Sequence, residues 1–411
     1  MILPPTSDPL WRDLIMGKLS CNFEFMPTKV LLTRIKASVS YDQTRIQSGI
    51  EELRSLFHKN TLIPKVQNDL QNIFGSKHSI TTVLHTKEEI IHSLAMGKSL
   101  LLAGSESTLS DIPKGSWIGG TAPLIGGLQL KMPLADQIFA AEIPTYHSGV
   151  DIKVYKNMES LQLVYKEAPE NGFSVIIIPT SGSMHLSFAL EAPHYPDFAT
   201  RPLAGWIAGV PLAEVGKLKP YVYNGLTAEK FEDAAVVMAV KLPKNKVAEV
   251  GVVNIFKQGD GDILRVDQDG FEHQTVIING QRSSFANYVK QSWIDTRLPL
   301  VADYHGLMVN TSFQKIISES KAVRFYAPLF RGIDYRIAKS ITNYKNAFLE
   351  NLPKLKNHSE VFSFNCILNY ILMLDLETER PDTLLGPTTY GEVAYQLLNQ
   401  TLAYVTIKDL D

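Results

Sequence analysis

Three short stretches carry residue types that could do chemistry. The first is "TYGEV", with Tyr390, Gly391 and Glu392. A carboxylate just after a glycine can accept hydrogen bonds from a ligand amine. The alternative is a glutamate meeting free backbone amides at a helix N-terminus. The second is Asn399-Gln400-Thr401, ahead of the apolar run "LAYVTI". Its side-chain amides and hydroxyl can hold a ligand or satisfy buried backbone. The third is "WIGGTAPLIGG", with Trp117, Gly119, Gly120 and Thr121. It reads as a glycine-rich turn after a buried strand, whose bare amides could cradle a carboxylate or another anion. The alternative is close backbone approach in a β-rich core. The stretch has an echo in "AGWIAGVPLAEVG", which contains Trp206 and Gly209. The pair suggests two related strand-to-glycine-turn units.

Other reactive side chains stand more isolated. Cys366, in "SFNCILNY", reads as a small thiol inside an apolar strand, with a nucleophile as the alternative. A hydrolase or transferase reading would use Cys366 or Ser181 and would need a base within reach. His194, between prolines in "APHYPDFA", is the first candidate axial ligand if haem binds; His147 and His305 follow. "GKS" at 97–99 is no phosphate-binding loop, because His92 stands where its first glycine belongs. "SGSMH" at 181–185 lacks the nucleophile-elbow pattern, and no strand-to-helix elbow is expected there. "DQDG" at 267–270 lacks the remaining ligands of a calcium loop. No metal site and no required cofactor are expected.

The elements that must position these residues follow from the patterning. The chain has 411 residues, 45% of them hydrophobic and 20% charged, which suits a soluble protein with a large core. The net charge of -2 and the absence of a basic block argue against a nucleic-acid partner. Two cysteines far apart fit a reducing compartment. The N-terminus does not read as a signal peptide, and no apolar run reaches the roughly 20 residues of a spanning helix. A cytoplasmic protein with no membrane partner is expected.

Residues 1–24 read as a proline-rich arm. "VLLTRIKASV" reads as a strand, followed by helices in "RIQSGIEELRSLFHK" and "TLIPKVQNDLQNIFG". Thr86 and Glu89 form a capping-box signature that opens the helix "KEEIIHSLAMG" between the strands "HSITTVLHT" and "KSLLLAG". From Trp117 to Asn310 β-branched runs dominate, with "KQGDGD" and "DQDG" as hairpin turns and one helix in "SSFANYVKQSW". A short helical pattern follows Glu392. The fold class is α/β in the broad sense, mixed α+β, with two β-rich sandwich-like domains and flanking helices. Their expected spans are 25–243 and 244–411.

The C-terminal motifs resemble the second half of FIST domains, sensory modules of bacterial signal-transduction proteins. The matching residues are Cys366, Gly386, Thr389-Tyr390-Gly391-Glu392-Val393 and Asn399-Gln400-Thr401. "INGQRSSFANYV" also resembles a FIST stretch, and "WIGGTAPLIGG" and "GWIAGVPL" occupy the places of the glycine turns in its first half. The sequence departs from the family at Leu398, where a histidine is common, and at Gly120. The resemblance spans residues 28–407. It implies a sensor of a small intracellular, amino-acid-like ligand, with haem-based nitric oxide sensing as the alternative. A sensor filling the chain would signal through a separate partner, such as a histidine kinase or a cyclic-di-nucleotide enzyme.

Overall fold

Thr86 starts the first helix as a full capping box. Its hydroxyl accepts the Glu89 amide, and the Glu89 carboxylate accepts the Thr86 amide. The helix is α1 (Lys87–Ala95), and it joins β1 (Val83–His85) to β2 (Ser99–Gly104). The structure is a computed structural model that describes residues 83–123, 137–144, 146, 149–304, 306–353, 360–373 and 386–410. These belong to one unit, residues 80–411. The N-terminal arm, the strand at 30–39 and the two helices read after it lie outside the described residues.

One strand layout recurs three times. The first unit adds β3 (Trp117–Thr121) and β4 (Ile138–Ile143), with α2 (Glu106–Leu109) between β2 and β3. The second contains β5 (Val150–Tyr155), α3 (Met158–Leu161), β6 (Gly172–Pro179), α4 (Ser183–Glu191), β7 (Leu203–Ala208) and β10 (Ala235–Lys241). Between its last two strands lies a hairpin of β8 (Val222–Asn224) and β9 (Glu229–Phe231).

The third unit starts at β11 (Lys246–Val253) and resumes at β21 (Glu360–Cys366). It continues through α7 (Ile367–Met373), β22 (Thr388–Thr389), a hairpin of β23 (Glu392–Ala394) and β24 (Gln396–Leu398), and β25 (Leu402–Asp409). In each unit two strands run in parallel: β2 with β3, β6 with β7, β21 with β22. A third strand runs antiparallel between that pair and the unit's first strand.

The second and third units each lend their hairpin backwards. Strand β8 pairs with β3 of the first unit, and β23 pairs with β7 of the second. The sheet orders are therefore β1-β4-β2-β3-β8-β9, β5-β10-β6-β7-β23-β24 and β11-β25-β21-β22. The expected boundary near residue 243 falls between β10 and β11, and the β23–β24 hairpin crosses it. All three sheets feed one core, to which Ile118, Ile177, Trp206, Phe362 and Val405 belong. The strand β6 is buried at every position, as its apolar run at 175–178 requires.

The chain between β11 and β21 is an insertion. Its strands are β12 (Leu264–Arg265), β13 (Gly270–His273), β14 (Thr275–Ile278), β15 (Gln281–Ser284), β16 (Leu300–Tyr304), β17 (Leu307–Thr311), β18 (Phe313–Ile317), β19 (Ala322–Leu329) and β20 (Tyr335–Ile337). They form an antiparallel sheet and a smaller one around Phe285, Phe313 and Phe325. Two helices accompany them, α5 (Phe285–Gln291), capped by the Ser284 hydroxyl, and α6 (Tyr344–Glu350). The molecule is mixed α+β. Among the described residues no helix is long and apolar enough to cross a membrane.

Several local expectations are corrected. "WIGGT" is the strand β3, not a turn; its backbone pairs with β2 and β8 and offers no open cradle. Its glycines serve packing instead. A Cβ at Gly120 would stand 2.7 Å from Ile177 Cγ2 and 3.2 Å from Ala208 Cβ, so the first two sheets close only over bare backbone. "KQGDGD" and "DQDG" connect strands that do not pair with each other, and so are not hairpin turns. Asn279 and Gly280, both with positive φ, close the β14–β15 hairpin instead. "SGSMH" does connect a strand to a helix, β6 to α4, with Ser181 at φ +69°. The residues after Glu392 form a hairpin rather than a helix, because Tyr395 takes φ +64° and reverses the chain.

Replacing Gly120 with valine should wedge the two sheets apart and destabilise the protein by about 1–3 kcal/mol. Urea denaturation of the two proteins measures this, and an unchanged midpoint would refute the close-approach account.

Candidate functional site

The lent hairpin carries the site. Cys366 ends β21 and registers with Thr389 in β22. Tyr390 and Gly391 turn the chain, and Glu392 opens β23 directly opposite Trp206 of β7. Glu392 thus stands where the second and third sheets meet, with no exposed surface. Its carboxyl lies 2.7 Å from the Thr389 hydroxyl and 2.8 Å from the Thr401 hydroxyl, with the Thr401 amide at 3.4 Å. The Cys366 thiol also donates to it.

Proton counting shows which form of Glu392 fits. The Thr389 hydroxyl has one hydrogen and two acceptors in reach, Glu392 and the Asn365 carbonyl at 3.2 Å. A neutral Glu392 resolves the conflict: it donates to Thr389, and Thr389 donates to Asn365. Burial pushes in the same direction. It raises the Glu392 carboxyl to about 8, overriding the donors that favour the charged form. Burial, and after it the neighbouring Glu392, raises the Cys366 thiol well above its ordinary range. That is the opposite of what an activated nucleophile needs. Burial likewise raises the phenol of Tyr344, with Cys366 and Glu392 adding to the effect.

A polar belt surrounds this centre. On one side Asn369 donates to the Asn365 side chain at 3.0 Å and to the Thr401 carbonyl at 2.8 Å, and lies 2.5 Å from the Tyr344 hydroxyl. On the other, Asn399 and Gln400 meet the insertion. The Ser312 amide donates to Asn399 Oδ1 at 3.0 Å, and the Ser312 hydroxyl to Gln400 Oε1 at 2.6 Å. Asn310 donates to the Gln400 carbonyl at 3.3 Å, and Gln400 Nε2 to the Arg297 carbonyl at 3.1 Å. The amide nitrogen of Asn399 is buried without a hydrogen-bond partner. A cavity of about 20 Å³, room for about one water, separates Asn310 and Thr311 from Gln396 and Leu397.

The structure gathers many of the residues read from sequence. Cys366, Glu392 and Thr401 touch one another, and Asn399 and Gln400 form the adjoining rim. The Tyr390 ring packs on Gly209 and its hydroxyl donates to the Val210 carbonyl at 2.6 Å. Gly391 accepts the Ile207 amide, and Thr121 accepts the Gly209 amide through its carbonyl. Trp206 stacks on Phe364, its indole nitrogen buried without a partner beside Gly120. Trp117 and Gly119 do not join the site. Trp117 packs on Tyr223 in a separate cluster, and a Cβ at Gly119 would meet Leu102 and the Trp117 ring.

His194 is exposed on a 3-10 turn. His147 and His305 lie outside the described residues. Ser181 is exposed, and its amide donates to His185 Nδ1, so the imidazole does not face its hydroxyl as an acceptor. Among the described residues no group of three or more His, Cys, Asp and Glu could hold a metal ion. Sequence reasoning missed Asn365, Asn369, Asn310 and Ser312 as neighbours of the site. The two asparagines four residues apart around Cys366 were the available signal; nothing local marked Asn310 and Ser312.

The buried carboxyl makes stability depend on pH. The folded state keeps a proton that the unfolded chain releases near its ordinary value of 4.5. This contribution is fully present below that value and is lost as the pH rises through about 8. His185, pushed down to about 4 by burial, acts in the opposite direction up to its ordinary 6.5. Above pH 6.5 Glu392 acts without it. Between about pH 6.5 and about 8 the wild type should lose about 2 kcal/mol relative to Glu392→Gln. Denaturant titrations at several pH values measure this, and parallel curves would overturn the neutral-acid assignment.

Comparison with known proteins gives one family. The model of the family of unknown function DUF6976 matches residues 85–408. No curated protein matches the chain. The match covers the three strand units, the insertion and the Glu392 centre, and on that match the chain belongs to DUF6976.

Proposed function

We propose that this chain is a FIST-like sensory protein that binds a small amino-acid-like ligand at the Glu392 centre and passes the signal to a separate partner protein. The observation that carries the reading is a fully buried glutamic acid whose hydrogen-bond donors are all neutral. An arriving ammonium group would favour the ionised form of Glu392, whose proton would leave to solvent, and would pair with the resulting carboxylate. The Thr389 and Thr401 hydroxyls would then hold that carboxylate in place. The unpartnered amide of Asn399 lies one residue past Leu398, which pairs with Glu392. It offers a donor for the carboxylate of the same ligand.

Exchanging a buried proton for a ligand cation ties affinity to pH. Affinity for an amine-bearing ligand should rise between about pH 6.5 and about 8, as the proton becomes easier to release. A thermal-shift screen of free amino acids against the full chain should find compounds that raise the melting temperature of the wild type. Glu392→Gln should lose the effect, and Asn399→Ala should weaken it. Calorimetry in buffers of different ionisation enthalpy should record one proton released. An equal shift in Glu392→Gln would rule out Glu392 as the partner of the ligand cation.

A further inference from the structure

The turn Asn399-Gln400-Thr401 faces two ways. Thr401 points inward and donates to Glu392 through both hydroxyl and amide. Asn399 and Gln400 point outward and hold Ser312 and Asn310, at the junction of β17 and β18 in the insertion. Three consecutive residues therefore join the buried carboxyl to a part of the chain nearly ninety positions away. The segment between Glu392 and Thr401 is under backbone strain. Tyr395 at φ +64° and Gln400 at φ +56° flank the three-residue edge strand β24. Neither is glycine, so both conformations persist only while their surroundings impose them. The small cavity lies along the same seam, between β24 and the insertion.

We propose that the Asn399-Gln400-Thr401 turn is a coupling device, in which the protonation of Glu392 sets how firmly the insertion is latched over the site. When Glu392 ionises it needs more donors. Thr389 then turns its hydrogen from Asn365 toward the carboxylate, and the Thr401 hydroxyl and amide are drawn in. Pulling Thr401 inward moves Gln400 and Asn399, whose outward bonds to Ser312 have no slack at 2.6 and 3.0 Å. Other titratable groups face the centre. Cys366 comes from β21, Tyr344 from α6, which also carries the buried Lys345, and Tyr326 from β19 adjoins Cys366. The tyrosines and the cysteine are all raised by burial, so Glu392 ionises before them. The coupling operates with or without a ligand and does not rest on the ligand reading.

Hydrogen exchange of the Ser312 amide in the full chain tests this. Corrected for intrinsic base catalysis, protection at Ser312 in the wild type should fall by about tenfold between about pH 6.5 and about 8.5. The opening at Ser312 should be local and insensitive to dilute denaturant, unlike that of the β2 amides, which follows global unfolding. Glu392→Gln should remove the pH response at Ser312. Thr401→Val should remove it too, while the infrared band of the protonated carboxyl still titrates; this variant carries the test if Glu392→Gln folds poorly. A pH response that survives in both variants would overturn the proposal. So would a Ser312 opening as denaturant-dependent as that of the β2 amides, which would report global unfolding and not a latch.

Discussion

A glutamic acid with no exposed surface has to be surrounded on every side, and neighbouring segments of the third unit together with a strand of the second do this here. Strand β23 brings Glu392, β22 brings Thr389, and the turn before β25 brings Thr401, while β7 of the preceding unit pairs with β23. The carboxyl can sit there only as the neutral acid or as an ion clasped by every donor in reach. Placement of the hairpin, ordering of the polar belt and packing of the insertion all answer to that requirement. An uncompensated charge in this position would cost more than the packing around it returns.

Strand lending is what makes the enclosure available. Each of the first two units ends its parallel pair on a strand that would otherwise be an open sheet edge. A hairpin from the following unit closes it: β8 on β3, and β23 on β7. The same exchange that protects an edge also carries Glu392 into the joint between two sheets. Gly120 makes the arrangement possible from the other side, because only bare backbone lets β3 approach Ile177 and Trp206. Packing and site are therefore one construction, so changes at the sheet joint should be felt at the carboxyl.

The insertion adds a polar seam to this core. Its own interior, around Phe285, Phe313 and Phe325, is apolar and self-contained. Where it meets the turn before β25 the contacts are amides and hydroxyls, with a cavity beside them. Hydrogen bonds of this kind contribute about 1 kcal/mol each, so such a seam opens at lower cost than the core beneath it.

The sequence alone determined the local elements. The Thr86 capping box, the apolar runs of β2, β6 and β10 and the helix in "SSFANYVKQSW" all stand where their residues indicate, because each depends on neighbours a few positions away. Glu392, Cys366 and the Asn399-Gln400-Thr401 stretch also stood out by residue type. Tertiary structure decided the rest. "WIGGT" looks like a turn until the second sheet is seen to need its bare backbone. "EVAYQLL" looks helical until pairing with β7 draws it into a hairpin and holds Tyr395 at positive φ. Asn310 and Ser312 join the site through contacts across some ninety residues, which no local pattern records. The protonation preference of Glu392 belongs to the same class: side-chain type offers a carboxylate, and only burial in the joint between sheets favours the neutral acid.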